Sequence, residues 1–260
     1  MAFNLISKSG SPVLTSQTLD AARDYDFSDN NRETMTMSGF SNKLIMLVAI
    51  TAIIAMALVN VLDVGSSVML SSVSAIVGFI LVLVMSIKPN TAPYIAVPYA
   101  VAEGCFLSGV VLYAETLLPG VAFNALLGTL ALLVATVVCY RTGLIKVNEK
   151  FLSIFKFAVA GAFVYVILGL VSSFFMQSVY EGLFSWTKGG LLGIGVCILL
   201  IVFGAMSLVL DLFLVEDGIQ RGLPKSYEWY CSMSILVTVV YIYVKILELI
   251  IRIAYSSSSD

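Results

Sequence analysis

Seven long apolar runs dominate the chain, at about residues 43–62, 67–87, 92–114, 119–140, 151–175, 189–214 and 227–253, with short polar links between them. A helix rises about 1.5 Å per residue and the hydrocarbon core of a bilayer is about 30 Å thick, so runs of more than roughly 18 apolar residues predict spanning helices. The expected fold class is all-α, a polytopic bundle of seven transmembrane helices. Residues 1–42 read as a polar, flexible tail rich in Ser, Thr, Asn and Asp, compatible with a short helix between Thr18 and Asp24. Residues 254–260 read as a short polar C-terminal tail. Pro93 and Pro98 fall early in the third run, where a bend is expected. Such a bend is tolerated if neighbours satisfy the freed carbonyls. Small residues recur every fourth position, as in Ser67, Ser71 and Ala75, then Ala100, Gly104 and Ser108, then Gly189 and Gly193. Such ridges let helix backbones approach closely in lipid.

Charges inside these runs are the exceptions to the pattern. An ionised side chain at mid-bilayer costs about 2.5–3.5 kcal/mol on insertion scales, so it normally faces protein, pairs, or lines a wet path. Glu103 lies deep in the third run and Asp211 near the end of the sixth, while Lys245 and Glu248 lie well inside the seventh. For Glu103 two readings stand: a protonated carboxyl hydrogen-bonded to a neighbouring helix, or a proton or cation relay. Asp211 is either an interfacial carboxylate or, with Glu216 and Asp217, part of an acidic cytoplasmic mouth that concentrates cations. Lys245 and Glu248, three residues apart, share one helical face. They either neutralise one another along their own helix, with Tyr241 and Arg252 extending the stripe and Arg252 snorkelling to the interface, or Lys245 faces Glu103 instead.

Composition narrows the function classes. The 260 residues are 60% hydrophobic and 12% charged, with a mean hydropathy of +1.02. Soluble domains run near 25% charged. A formal net charge of -2 lacks the basic stripe that a nucleic-acid partner requires. The sequence contains no histidine, which removes the usual zinc and haem ligand and the commonest general base. There is no Gly-rich phosphate loop and no nucleophile with a base to activate it, and Asp63 and Asp211 lack the surroundings of an intramembrane hydrolase. The expectation is a protein that is not an enzyme, with no metal and no cofactor. Cys105, Cys139, Cys197 and Cys231 all fall in or beside apolar runs and read as small buried residues.

Basic residues set the expected orientation. Lys8, Arg23, Arg32, Lys43, Lys88, Arg141, Lys146, Lys150, Lys156, Arg221 and Lys225 fall on the side of the N-terminus, eleven against Lys188 and Arg252 on the other. By the positive-inside tendency the tail is cytoplasmic. With seven spans the C-terminus is then outside, unless the last run enters and returns.

Several stretches carry a resemblance. Lys88-Pro89-Asn90-Thr91-Ala92-Pro93 leads to Pro98-Tyr99-Ala100-Val101-Ala102-Glu103-Gly104, and Leu118-Pro119-Gly120-Val121 follows. Then come Leu208-Val209-Leu210-Asp211, Leu223-Pro224-Lys225-Ser226-Tyr227-Glu228-Trp229-Tyr230, Val237-Thr238 and Tyr243-Val244-Lys245-Ile246-Leu247. In order and spacing over residues 40–253 the chain resembles the Bax inhibitor-1 (transmembrane Bax inhibitor motif) family, and specifically its bacterial YccA-like branch. The resemblance implies a seven-helix bundle with the last helix central, in the bacterial inner membrane. In some members it implies a pH-sensitive calcium leak governed by two carboxylates on the sixth and seventh helices. Asp211 matches the first; the second falls on Lys245, of opposite charge. The function expected is a calcium or proton-linked cation leak, with Glu103, Asp211 and Glu248 in the polar core and Lys245 as a counter-charge that sets or silences conduction. The competing expectation is a non-conducting regulator whose N-terminal tail engages a membrane protease or quality-control complex.

Overall fold

The structure, a computed structural model, describes residues 34–175, 177–187 and 190–257. The expected tail helix at Thr18 to Asp24, the rest of the tail to residue 33, Lys188 and Gly189 lie outside the described residues. Among the described residues eight α-helices follow in order: α1 Met37–Val61, α2 Val64–Ile87, α3 Ala92–Leu117, α4 Val121–Arg141, α5 Glu149–Phe175, α6 Gln177–Phe184, α7 Gly190–Gln220 and α8 Tyr227–Ser257. All except α6 are long and apolar enough to span a membrane. A single 3-10 turn, Pro89–Thr91, leads into α3, and Pro98 lies inside that helix.

Helix ends depart from the hydropathy reading where local capping extends them. The α1 helix begins at Met37 rather than residue 43, because the Thr36 side chain accepts a hydrogen bond from the Gly39 N–H. At the start of α2, Asp63 accepts from the Ser66 hydroxyl at 2.6 Å and from its N–H at 3.2 Å. Those two bonds, the side-chain one first, hold the Asp63 carboxyl below its usual range. The α7 helix continues through Glu216 and Asp217 to Gln220, with Asp217 paired to Arg221 at 2.6 Å. It stops where Gly222 takes a φ of +66° and Leu223 N–H reaches back to Gly218 O at 3.1 Å. The α8 helix runs on to Ser257, so most of the expected C-terminal tail is helical.

The described residues form two compact units: those within 34–113 with 210–238, and those within 114–209 with 239–257. In the first, small residues let helices touch. A methyl group added at Gly104 would lie 2.7 Å from Ile54 Cβ, and one at Gly109 would lie 2.4 Å from the Ser67 carbonyl oxygen. Thr51 donates to Ala100 O at 3.0 Å and Ser71 to Phe106 O at 2.8 Å, tying α1 and α2 to α3. The second unit has its own apolar core of Ala114, Val121, Ala125, Ile242, Ile246, Leu247 and Ile251. Phe155 of α5 stacks on Phe203 of α7 at 5.5 Å, and Phe184 of α6 stacks on Tyr165 of α5 at 4.4 Å over the gap left by Gly169. Large apolar side chains such as Ile45, Phe157 and Phe174 are exposed. That is the surface lipid would cover.

Candidate functional site: a buried carboxyl among hydroxyls

Asp211 is 2% exposed. Two side chains of α8 reach it: Thr238 Oγ1 donates to Oδ2 at 2.8 Å and Ser234 Oγ to Oδ1 at 3.3 Å. Ser234 and Thr238 are four residues apart, so a helix presents both on one face. The first unit therefore encloses a carboxyl whose hydrogen-bonding partners are neutral hydroxyls. The carboxyl of Glu103, on α3 of the same unit, lies beside Gly78, within hydrogen-bonding reach of the Tyr99 hydroxyl one helical turn away.

Lys245, Glu248 and Arg252 form a separate cluster in the second unit. Lys245 Nζ meets Glu248 Oε2 at 2.7 Å. Arg252 grips Glu248 Oε1 through Nε at 2.9 Å and Nη2 at 2.7 Å. Its Nη2 also donates to Leu183 O at 2.9 Å, a carbonyl that accepts the Tyr165 hydroxyl at 3.2 Å. Of the two readings of Lys245, the one along its own helix is what forms. The expectation that Arg252 snorkels outward is corrected: it is 3% exposed, because Glu248 and the α6 carbonyl hold it in. Tyr241 bonds to Leu200 O at 3.2 Å and so joins α8 to α7.

The acidic mouth also needs correction. Glu216 and Asp217 lie on the last turn of α7, and Asp217, 9% exposed, is neutralised by Arg221 one turn on. An i, i+4 pair of opposite charges forms wherever the helix extends that far. All four cysteines are free thiols.

One part of the site went unread in the sequence. Glu228, fully buried at the start of α8, accepts from Thr36 N–H at 2.9 Å and Thr36 Oγ1 at 3.1 Å and is ion-paired with Lys43 of α1. Lys43 Nζ also sits 5.3 Å from the centre of the Trp229 ring. A carboxylate opening an apolar run was the available signal.

A family model described as Bax inhibitor 1 like matches residues 11–255. The chain belongs to that family. It is a multi-pass membrane protein by that membership and by its seven spanning-length helices. No curated protein and no solved structure matches it. For this Bax inhibitor 1 like protein, the α8 groups that bond Asp211 are Ser234 and Thr238, whereas Lys245 is bound to Glu248. The site is thus a single carboxyl with two hydroxyls. Among the described residues no group of three or more Cys, Asp or Glu is placed to hold a metal ion.

Proposed function

We propose that this Bax inhibitor 1 like protein is a proton-linked cation leak of the bacterial inner membrane, in which Asp211 is the group whose charge state controls passage. One observation carries the reading: an acid in an apolar bundle, enclosed at 2% exposure, with hydroxyls as its hydrogen-bonding partners. Ionisable groups at such sites mark ion or proton paths by default. Calcium prefers six to eight oxygens with several carboxylates among them. One carboxyl and two hydroxyls suit a proton or a small monovalent cation better. Glu103, beside Tyr99, is the second acid of the same unit and a candidate for a further step on the path. In this reading the N-terminus is cytoplasmic.

The test is flux into vesicles of the purified protein, read with proton and calcium dyes between roughly pH 5 and 8. Wild type is expected to leak protons in a pH-dependent way, and Asp211→Asn to abolish that dependence. Losing a hydrogen bond to a charged group costs about 1.5–3 kcal/mol, so Thr238→Val is expected to change flux roughly ten- to a hundredfold. Thr238→Ser, which keeps the hydroxyl, is expected to behave as wild type. A wild-type protein with no flux of either ion across that range refutes conduction. The second reading, a regulator acting through its tail, draws support from the anchoring of Thr34–Thr36 to the α7–α8 loop. It fails if deleting residues 1–33 leaves binding to membrane proteases unchanged.

A further inference from the structure

The segment just ahead of α1 is bound to the loop between the two helices that enclose Asp211. Thr34 forms an antiparallel bridge with Pro224, and Met35 N–H donates to Leu223 O at 2.7 Å. Met35 is 2% exposed; its sulfur lies beside Gly218 of α7, where an added methyl would come within 3.7 Å. Thr36 then bonds twice to Glu228, and Ser232, one turn further along α8, donates to Phe40 O at 3.0 Å. Gly39 leaves room for the Glu228 carboxylate, which a methyl group at that position would have to push aside.

We infer that Thr34–Thr36 is a strap that closes the loop end of the Asp211 chamber, meaning the α7 and α8 side chains packed around that carboxyl, so that displacing it opens the carboxyl to water. Its fastenings are few: one apolar side chain, a handful of hydrogen bonds and the Lys43 ion pair, whose ammonium side is 16% exposed. Segments held by so few contacts open locally at a small fraction of the global unfolding free energy. The strap is also where the N-terminal tail joins the bundle, so a pull on the tail acts first on Met35 and Thr36. A tail and a chamber assigned to two different functions are here joined by three residues.

Cys231 provides a native reporter. It is 1% exposed and lies on α8 three residues after Glu228, which bonds the strap, and three before Ser234, which bonds Asp211. The experiment measures the rate at which a small maleimide modifies Cys231 in the full chain in vesicles, read by mass spectrometry of its peptide. Met35→Asp puts a carboxylate into the apolar slot. Cys231 labelling is expected to rise roughly ten- to a hundredfold, the change in an opening equilibrium that follows from losing the burial of one Met side chain. The pair Thr34→Cys with Pro224→Cys, directly opposed across the bridge, is expected to slow labelling when oxidised and to restore it on reduction. If the oxidised and reduced forms label equally, or a folded Met35→Asp labels as wild type does, the strap does not close the chamber. The flux arm rests on the conduction reading and separates from it. Faster labelling with no flux in any variant keeps the strap and removes conduction, whereas altered flux at unchanged labelling removes the strap.

Discussion

Removing the acid from the Lys245, Glu248 and Arg252 cluster is expected to cost far more stability than removing either base. The wild-type cluster holds two cations and one carboxylate, a net +1. Glu248 is 4% exposed and Arg252 3%, and the Lys245 side chain is 20% exposed. Glu248→Gln raises the net charge to +2 and leaves Arg252 buried without an anion; breaking a buried pair in this way costs about 3–5 kcal/mol. Lys245→Met lowers the net charge to zero and leaves the two-point grip of Arg252 on Glu248 intact, so its cost is expected to stay within about 1 kcal/mol. Arg252→Met leaves Glu248 paired with Lys245 alone and gives up the two-point grip on that carboxylate as well as the bond to Leu183 O, at a cost of about 1.5–3 kcal/mol. The order of cost is therefore Glu248→Gln, then Arg252→Met, then Lys245→Met. The double variant Lys245→Met with Glu248→Gln returns the cluster to +1 and is expected to recover part of the loss, a coupling that a double-mutant cycle isolates. Reversible unfolding in mixed micelles, followed by far-UV circular dichroism, measures all four. The reasoning is refuted if Lys245→Met is as destabilising as Glu248→Gln, or if the double variant is additive.

Two further outcomes follow from the geometry. Gly109→Ala forces a methyl group to 2.4 Å from the Ser67 carbonyl oxygen and 2.5 Å from Ser71 Cβ, so it is expected to lose about 1–3 kcal/mol by overpacking. Gly161→Ala on α5, with nothing within 4 Å of the new methyl, is expected to gain about 0.5–1 kcal/mol in the same unfolding assay. The Asp63 cap is lowered in pKa from 3.8, so its contribution is fully present above that pH and is lost as pH falls through the lower folded value. Hydrogen exchange at the Ser66 amide, corrected for intrinsic rate, is expected to accelerate only below pH 3.8. Asp63→Asn should flatten that dependence.

What was legible in the sequence divides by distance along the chain. The seven spans were legible because length alone decides them, and their ends were not, because Thr36 and the Asp217–Arg221 pair extend helices into polar sequence that hydropathy excludes. The shared face of Lys245 and Glu248 was legible from their three-residue spacing, which left open whether Lys245 turned to Glu248 or to Glu103. Asp211 stood out because acids are rare in lipid, but the α8 groups that bond it did not. Ser and Thr are ordinary in spanning helices, where a hydroxyl satisfies itself on a carbonyl of its own helix, as Thr129 does on Ala125 O at 2.7 Å. Nothing in sequence tells such a hydroxyl from Thr238, which reaches Ser234 O of its own helix only at 3.4 Å and whose nearer partner lies 27 positions away. The strap is the extreme case, with Thr36 and Glu228 separated by 192 positions. The resemblance set Lys245 at the position of the second carboxylate, as the counterpart of Asp211 on the last helix. The bundle instead bonds Asp211 to neutral hydroxyls and spends its buried cations on Glu248.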